Sequence, residues 1–387
     1  MNPIGVGVIG LGNFARRQHL PNLFRMPEAR IRAVCDKDPE LTEKMRLKFR
    51  ADKGYTDHRK LLEDPDVEAV VIAVRDDVQA SLAVSALRAG KHVYVEKPLA
   101  DTEERFAEVR EAVLETGLRL AVGFNKRFAP IYRRAREIAR ADGGPRNMHL
   151  RMADDSWRWA VGYPPGFMMK HDVCHFFDLL RWFTGAEIAS VYAVRSRPDD
   201  DAVILRMSDD TVATILASGH GTMDMLKERV DIITRRGGLS AEDFVELRTY
   251  GFPSVEPVFT FPGHSDPDGE FMHKYLMEKL GSSGWSAIRR MTWELCRRAE
   301  AEAENPNVPL PPDAAEVRRF VARTIPNFLR DQGWMASLRI FLGNLSKGSS
   351  GGQTGFADHA GVEDARKAAL AVEAAIRSLE TGEVVRL

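Results

Sequence analysis

The feature that most constrains the fold is a glycine-rich turn directly after a short apolar run. The run 4–9, Ile-Gly-Val-Gly-Val-Ile, leads into Gly10-Leu11-Gly12-Asn13-Phe14-Ala15, and a helical pattern follows at once. A strand, a G-x-G-x-x-A turn and a helix in this order form the fingerprint of dinucleotide-binding folds. Gly10 permits the tight turn, Gly12 lets the backbone approach a pyrophosphate, and Ala15 lets the helix pack on the strand.

An acidic residue, Asp36, ends the next apolar run, 31–35. A carboxylate there can accept hydrogen bonds from the ribose hydroxyls of NAD and would repel the 2′-phosphate of NADP, although Lys37 would soften the repulsion. The alternative is a glycine-rich turn in an ordinary α/β domain. We expect NAD, with NADP possible, at a site that includes Gly10, Gly12, Asn13, Phe14, Ala15, Asp36 and Lys37.

Length and charge narrow the class of protein. A chain of 387 residues suits two domains, and 55 basic against 56 acidic residues leave no global charge for nucleic acid or an anionic membrane. The chain has three cysteines, and so small and odd a number argues against a disulfide framework. The N-terminal apolar run is too short for a signal or membrane segment. These observations predict a cytoplasmic protein without nucleic-acid or membrane partners.

Strand and helix signals alternate over the first 124 residues, which predicts an α/β domain with a doubly wound parallel sheet, a Rossmann domain. From 125 to 387 the apolar residues alternate as in a largely antiparallel, open sheet, which predicts a second, α+β domain; its role in substrate binding and oligomer contacts is what the family resemblance described below implies. A proline-rich loop and two helical stretches form a predicted insertion at about 253–333. The predicted strands of the first domain lie near 4–9, 30–35, 68–74, 92–95 and 118–122.

Lys97 is the first candidate catalytic residue. The segment Glu96-Lys97-Pro98 follows an apolar strand, and ligands of open α/β sheets bind beyond the carboxyl ends of the strands. A lysine beside a cationic nicotinamide has a lowered pKa and can exchange a proton with a substrate hydroxyl. The alternative for Lys97 is a surface lysine in a turn.

A second candidate cluster is 171–178, His-Asp-Val-Cys-His-Phe-Phe-Asp. On a regular helix His171, His175 and Asp178 share a face. His175 could act as a general base, His171 and His175 could bind a metal, or the face could simply pack at a domain interface. We expect no metal, because no third and fourth ligands are evident. Upstream, Trp157 lies in an aromatic-rich loop that could stack on a sugar or pack in the core.

Together these residues resemble the glucose–fructose oxidoreductase / inositol dehydrogenase / MocA family. Besides the glycine turn, the resemblance rests on Ala89-Gly90-Lys91-His92-Val93-Tyr94-Val95-Glu96-Lys97-Pro98, on Gly123-Phe124-Asn125-Lys126-Arg127-Phe128, and on Cys174-His175-Phe176-Phe177-Asp178. It covers most of the chain outside 253–333. The resemblance implies hydride transfer between NAD or NADP and a sugar or cyclitol, with Lys97 as catalytic lysine, His175 as catalytic histidine, and a dimer or tetramer formed through the open sheet.

Two segments depart from the family pattern. Where members usually have D-x-G-x-H, the chain has His171 at the aspartate position and Asp172 beside it, so the acid is either displaced to Asp172 or absent. We assign Asp172 as the candidate acid. Where members have T-P-N-x-x-H, the chain reads Val74-Arg75-Asp76-Asp77-Val78-Gln79. We expect Val74, Arg75, Gln79, Glu96 and Lys97 at the cofactor, and substrate contacts from Lys97, Arg127, Trp157, His171, Asp172 and His175.

Three functions remain open on the sequence alone. The first is an NAD(P)-dependent oxidoreductase of a sugar, sugar derivative or cyclitol. The second is an NAD-dependent glycosidase of the same fold, and the third is a cofactor-binding regulator without turnover.

Overall fold

The computed structural model describes residues 3–154, 166–221, 225, 227–261, 331–346 and 358–387. Trp157 with its predicted aromatic loop, and most of the predicted insertion 253–333, lie outside this set.

The chain divides into two compact units. Unit 1 comprises Met1–Phe128, Phe177–Leu179 and Gly333–Glu373, and unit 2 comprises Ala129–Phe176, Leu180–Gln332 and Ala374–Leu387.

Unit 1 is built on a six-stranded sheet whose described pairings are all parallel. The strand order is β3-β2-β1-β4-β5-β6, so the winding reverses between β1 and β4. The central strands are short runs of Val, Ile and Ala that are buried on both faces, as in a parallel sheet covered by helices. The strands are β1 Ile4–Ile9, β2 Ala29–Cys35, β3 Lys53–Tyr55, β4 Ala69–Ile72, β5 His92–Val95 and β6 Leu120–Val122.

This sheet confirms the predicted doubly wound α/β fold. Strand β3 was not predicted, because it has only three residues and is largely exposed. Ligands of such sheets bind beyond the carboxyl ends of the strands beside the reversal, here β1 and β4. The helices around the sheet are α1 Leu20–Arg25, α2 Pro39–Lys48, α3 His58–Leu62, α4 Asp76–Arg88 and α5 Glu103–Thr116, with a π-helical turn Ala15–His19 before α1 and a 3₁₀ turn Asn125–Phe128 after β6.

Unit 2 contains a nine-stranded sheet in the order β14-β13-β12-β11-β7-β10-β9-β8-β15. Every described pairing is antiparallel except that of β7 with β10. This confirms the largely antiparallel second sheet. The strands are β7 Asn147–Ala153, β8 Ile188–Arg197, β9 Asp200–Met207, β10 Val212–Ser218, β11 Glu228–Ile233, β12 Gly238–Glu242, β13 Glu246–Tyr250, β14 Val258–Thr260 and β15 Val385–Arg386.

One face of this sheet exposes apolar side chains. Residues alternate between faces along a strand, and the pairing register carries this alternation from strand to strand. On the exposed face lie Val194, Ile204, Val212, Leu216, Ile233, Tyr250 and Val258.

Four further helices complete the described chain. Helix α6 (Pro130–Ala141) packs against β12 and β13 of unit 2. Helix α7 (Cys174–Thr184) follows a second π-helical turn, and the chain ends with α8 (Trp334–Ser346), α9 (Val362–Thr381) and β15. None of the helices in the described ranges is long and apolar enough to cross a membrane.

Helix α8 belongs to unit 1, although it follows the predicted insertion. Met335, Leu338 and Phe341 are buried in the same core cluster as Val6 and Leu20. The predicted second domain, 125–387, included this helix, whereas the contact-based division places it in unit 1. The physical reason is the apolar face of α8, which is buried against the first, parallel-sheet half of the chain.

Candidate active site

The glycine turn lies at the carboxyl end of β1, beside the reversal of the sheet. Gly10 has φ +89°, and a Cβ there would lie 2.3 Å from the carbonyl oxygen of Ala73. Its N–H donates to the carbonyl of Cys35 at 2.9 Å. A Cβ on Gly12, in contrast, would meet no atom of the described residues within 4 Å, its chain neighbours aside. Gly10 thus builds the turn, and Gly12 leaves its backbone open to a bound group, which fits a dinucleotide pyrophosphate.

The rest of the turn begins the following helix. Asn13 and Phe14 are exposed, whereas Ala15 is buried, as expected for a small residue between helix and strand. The Asn13 Oδ1 accepts a hydrogen bond from Arg16 at 2.7 Å, and the Phe14 ring contacts Trp334 edge-on at 5.9 Å. Contacts of Asn13, Phe14 and Ala15 with the cofactor stay predictions.

Asp36 lies at the end of β2 and is bonded to the glycine turn. Its Oδ2 accepts the N–H of Leu11 at 2.8 Å, and its Oδ1 accepts the N–H of Asp38 at 3.1 Å. The neighbouring Lys37 is exposed. A carboxylate held next to Gly10–Gly12 suits the ribose of NAD, whose hydroxyls can donate to it.

The loop after β4 contains the segment that departs from the family pattern. Val74 lies against Gly10, since its Cγ1 would be 2.7 Å from a Cβ on that glycine. Arg75 is exposed and pairs with Asp77 at 2.7 Å. Gln79 is fully buried, and its Nε2 donates to the carbonyl of Pro98 at 2.6 Å. This places Gln79 beneath the Glu96-Lys97-Pro98 segment and Arg75 at the surface.

Glu96, Lys97 and Pro98 follow β5, the strand next to β4. Lys97 is partly exposed, and its peptide bond to Pro98 is cis. Half-buried Asp76 interacts with it electrostatically: burial raises the pKa of the Asp76 carboxyl, and the charge of Lys97 opposes that shift. The glycine turn and Lys97 therefore lie at the same edge of one sheet, on β1 and β5 with β4 between them.

Glu96 has a partner that the sequence analysis missed. Its Oε1 lies 3.0 Å from the Nε2 of His19, and both side chains are buried. A single histidine on an amphipathic helix gives no signal of such a pair, because its partner is 77 positions away.

The histidine cluster of unit 2 departs from a regular helix. His171 and Asp172 lie in the π-helical turn Met169–Val173, and His175 lies in the first turn of α7. Because π-helical bonds run from i to i+5, the predicted common face of His171, His175 and Asp178 does not follow from their spacing. His171 stacks on the ring of Phe167 at 4.2 Å, and His175 is buried.

Arg127 is buried in unit 1 and bonded to two carboxylates. Its Nε and Nη2 donate to Asp178 at 2.7 and 2.5 Å, and Nη2 lies 3.3 Å from Asp364. Burial alone would lower the pKa of Arg127, but the charge and hydrogen bonds of Asp178 outweigh it and raise that pKa. These bonds favour a structural role over the predicted substrate contact.

Lys97 belongs to unit 1, and His175 and Asp172 belong to unit 2. In the described ranges no group of three or more His, Cys, Asp or Glu side chains is arranged to hold a metal ion.

The doubly wound sheet with a glycine turn after β1 is a Rossmann fold, the class that binds dinucleotide cofactors. Residues 4–124 match the oxidoreductase family with an NAD-binding Rossmann fold (GFO_IDH_MocA), and residues 138–240 match the GFO/IDH/MocA C-terminal domain. The chain belongs to the Gfo/Idh/MocA family, as the sequence motifs predicted. It is a dehydrogenase acting on CH–OH groups.

Relatives of the chain include named dehydrogenases. The chain is 26% identical over 265 residues to myo-inositol 2-dehydrogenase of Thermotoga maritima, which covers 62% of this chain and 76% of that protein. It is 34% identical over 224 residues to inositol 2-dehydrogenase 4 of Saccharopolyspora erythraea, covering 56% and 63%.

A solved structure shares the fold over nearly the whole chain. The scyllo-inositol dehydrogenase of Lactobacillus casei, with bound NAD(H) and scyllo-inositol, superposes with a TM-score of 0.67 at 19% identity. The match covers 99% of each chain.

Proposed function

We propose that this protein is an NAD-dependent dehydrogenase that transfers hydride between nicotinamide and a carbinol carbon of a cyclitol, sugar or sugar derivative. The observation that carries the proposal is the placement of the glycine turn and Lys97 at one edge of the parallel sheet, on β1 and β5. Relatives that are named as inositol dehydrogenases support the cyclitol class.

The cofactor is held by the turn after β1 and by Asp36. The N–H groups beside Gly12 contact the pyrophosphate, and Asp36 accepts from the ribose hydroxyls, so NAD is preferred over NADP. Lys37, Val74 and Gln79 border the same site. Bound NAD supplies the acceptor for the hydride.

Lys97 and His175 act on the same substrate hydroxyl. Lys97 donates a hydrogen bond to the hydroxyl oxygen, and His175 removes the proton as the carbon loses hydride. Asp172, one position from the usual family acid, stabilises the charge that His175 then acquires. His171 lies on the substrate side in this proposal. The convergence of Lys97 and His175 is itself part of the proposal.

The protein assembles as a dimer or tetramer through the exposed sheet face defined above and acts in the cytoplasm. Among the described residues this face carries seven exposed apolar side chains, which a second copy of the chain would bury. Replacing Ile204 and Leu216 by glutamate is expected to shift the mass measured by light scattering toward the monomer. An unchanged mass would exclude this face as the interface.

A cyclitol and sugar panel tests the activity. We expect NAD reduction with at least one member of the panel, and its loss in Lys97→Ala but not in the exposed control Lys60→Ala. Cleavage of an aryl glycoside without net NAD reduction would indicate the glycosidase instead. NAD binding without either reaction would indicate a regulator.

A further inference from the structure

The side chain of His19 lies inside unit 1, directly behind the catalytic segment. It has no exposed surface, and its Nε2 lies 3.0 Å from the Oε1 of Glu96. Its position is seven residues after Gly12, within the helical segment that begins at the cofactor turn. The histidine thus connects the helix of the glycine turn to the residue that precedes Lys97.

Glu96 is fixed from three sides. Oε1 meets His19, and Oε2 accepts the backbone N–H of Lys97 at 3.3 Å. A Cβ on Gly123 would lie 2.7 Å from Oε1, so the carboxylate occupies space that only glycine leaves open. Its own N–H donates to the carbonyl of Ile72 on β4 at 2.9 Å. The orientation of Glu96 therefore bears directly on the backbone of Lys97.

The imidazole ring is held between two aromatic rings. Phe14 contacts it edge-on at 5.1 Å and Tyr94 at 5.8 Å, and the Tyr94 hydroxyl is bonded to Ser337 at 3.0 Å. The Nδ1 atom is buried and has no hydrogen-bond partner within the described part of the chain. A proton on Nδ1 would be a buried donor without an acceptor, so the bonding pattern assigns the proton to Nε2, which donates to Glu96.

We propose that His19 is a positioning residue for the reaction: through Glu96 it fixes the backbone at Lys97, so that the lysine amine reaches the substrate oxygen. The proposal rests on the proposed function, in which Lys97 acts on that oxygen. A misplacement of about 1 Å at a reacting group costs on the order of 100-fold in rate, so a small rotation of Glu96 has a measurable consequence.

Three substitutions of His19 separate this role from mere packing. The amide nitrogen of glutamine occupies about the place of histidine Nε2, whereas that of asparagine corresponds to Nδ1. We expect His19→Asn and His19→Leu to slow single-turnover hydride transfer by about 100-fold at saturating substrate, with NADH affinity close to that of wild type. His19→Gln should retain most of the rate. The control is His92→Gln, which also replaces a hydrogen-bonded histidine of the sheet but at the other end of β5, and it should leave the rate unchanged. There the Nδ1 atom accepts the N–H of Arg119 at 3.1 Å.

The outcomes distinguish the two proposals. If Lys97→Ala transfers hydride at the wild-type rate, the proposed function fails. If Lys97→Ala is slow while all His19 variants transfer hydride normally and only melt earlier, His19 is structural and the inference is wrong.

A second measurement does not need turnover. Crystal structures of NADH-bound wild type, His19→Gln and His19→Asn should show Lys97 Nζ displaced in the asparagine variant alone. An unmoved Lys97 in both variants would overturn the inference.

Discussion

Substituting Gly12 by alanine should weaken cofactor binding without lowering stability. Within the part of the chain that the structure describes, a Cβ at Gly12 meets no atom within 4 Å beyond its chain neighbours, and the residue does not have a left-handed φ. The added methyl group restricts the unfolded chain, so the free energy of unfolding of the apoprotein should be unchanged or higher by up to about 1 kcal/mol.

The same methyl group projects into the space through which a pyrophosphate approaches the backbone. Loss of one hydrogen bond to a charged group costs about 1.5–3 kcal/mol. We therefore expect the Kd for NADH to rise by roughly 10- to 150-fold in Gly12→Ala. Fluorescence titration with NADH measures this change, and thermal unfolding of the apoprotein measures the stability.

Gly10→Ala is the matched control. Its φ of +89° and the 2.3 Å approach to the Ala73 carbonyl oxygen strain any side chain there. Backbone strain and overpacking together predict a loss of about 2–6 kcal/mol of stability. Equal losses of stability in the two variants, or normal NADH binding by Gly12→Ala, would refute the assigned roles of the two glycines.

Three further substitutions test separate parts of the account. Asp36→Asn should bring the Kd values for NADH and NADPH closer together, because the amide no longer repels the 2′-phosphate; if the wild type binds NADPH more tightly than NADH, Asp36 does not face the ribose. Asp178→Asn removes the carboxylate that accepts two hydrogen bonds from buried Arg127 and leaves Asp364 as its remaining partner; urea unfolding should show that the free energy of unfolding falls by up to about 3–5 kcal/mol, and an unchanged midpoint would rule out the pair. At Asp142, hydrogen bonds from the Arg236 side chain, the Arg236 N–H and Thr234 lower the carboxyl pKa to about 2. Its stabilising contribution is thus present above about pH 4 and is lost as the pH falls toward 2, so Asp142→Asn should flatten this part of the acid-unfolding curve; an unchanged curve would show that Asp142 does not contribute.

The parallel sheet was predictable because its signals are local. The five strands that were predicted are short, largely apolar runs; the glycine turn follows the first run and Asp36 follows the second. The chain order of strands and helices then leaves few ways to wind the sheet.

The missed contacts are those between distant segments. The apolar face of α8 predicts a buried helix, but nothing in its pattern says that it packs in unit 1 after a long insertion. The pairs His19 with Glu96 and Arg127 with Asp178 join residues 77 and 51 positions apart. Only the fold brings these side chains together.

The irregular helix at the histidine cluster could not be predicted from the sequence. The sequence analysis placed His171 and His175 with the period of a regular α-helix, whereas the structure has the π-helical turn Met169–Val173 at this point. The sequence contains no proline or glycine within this turn that would have indicated the irregularity.

Single-turnover hydride transfer in Lys97→Ala, His175→Ala and the double variant tests the central claim most directly. If both residues act on one hydroxyl, each single variant should fold normally, bind NADH and lose about 10²–10⁴ in rate. The double variant should be little slower than either, because groups that act as a unit are not additive. Two folded single variants that transfer hydride at the wild-type rate would contradict the proposed site.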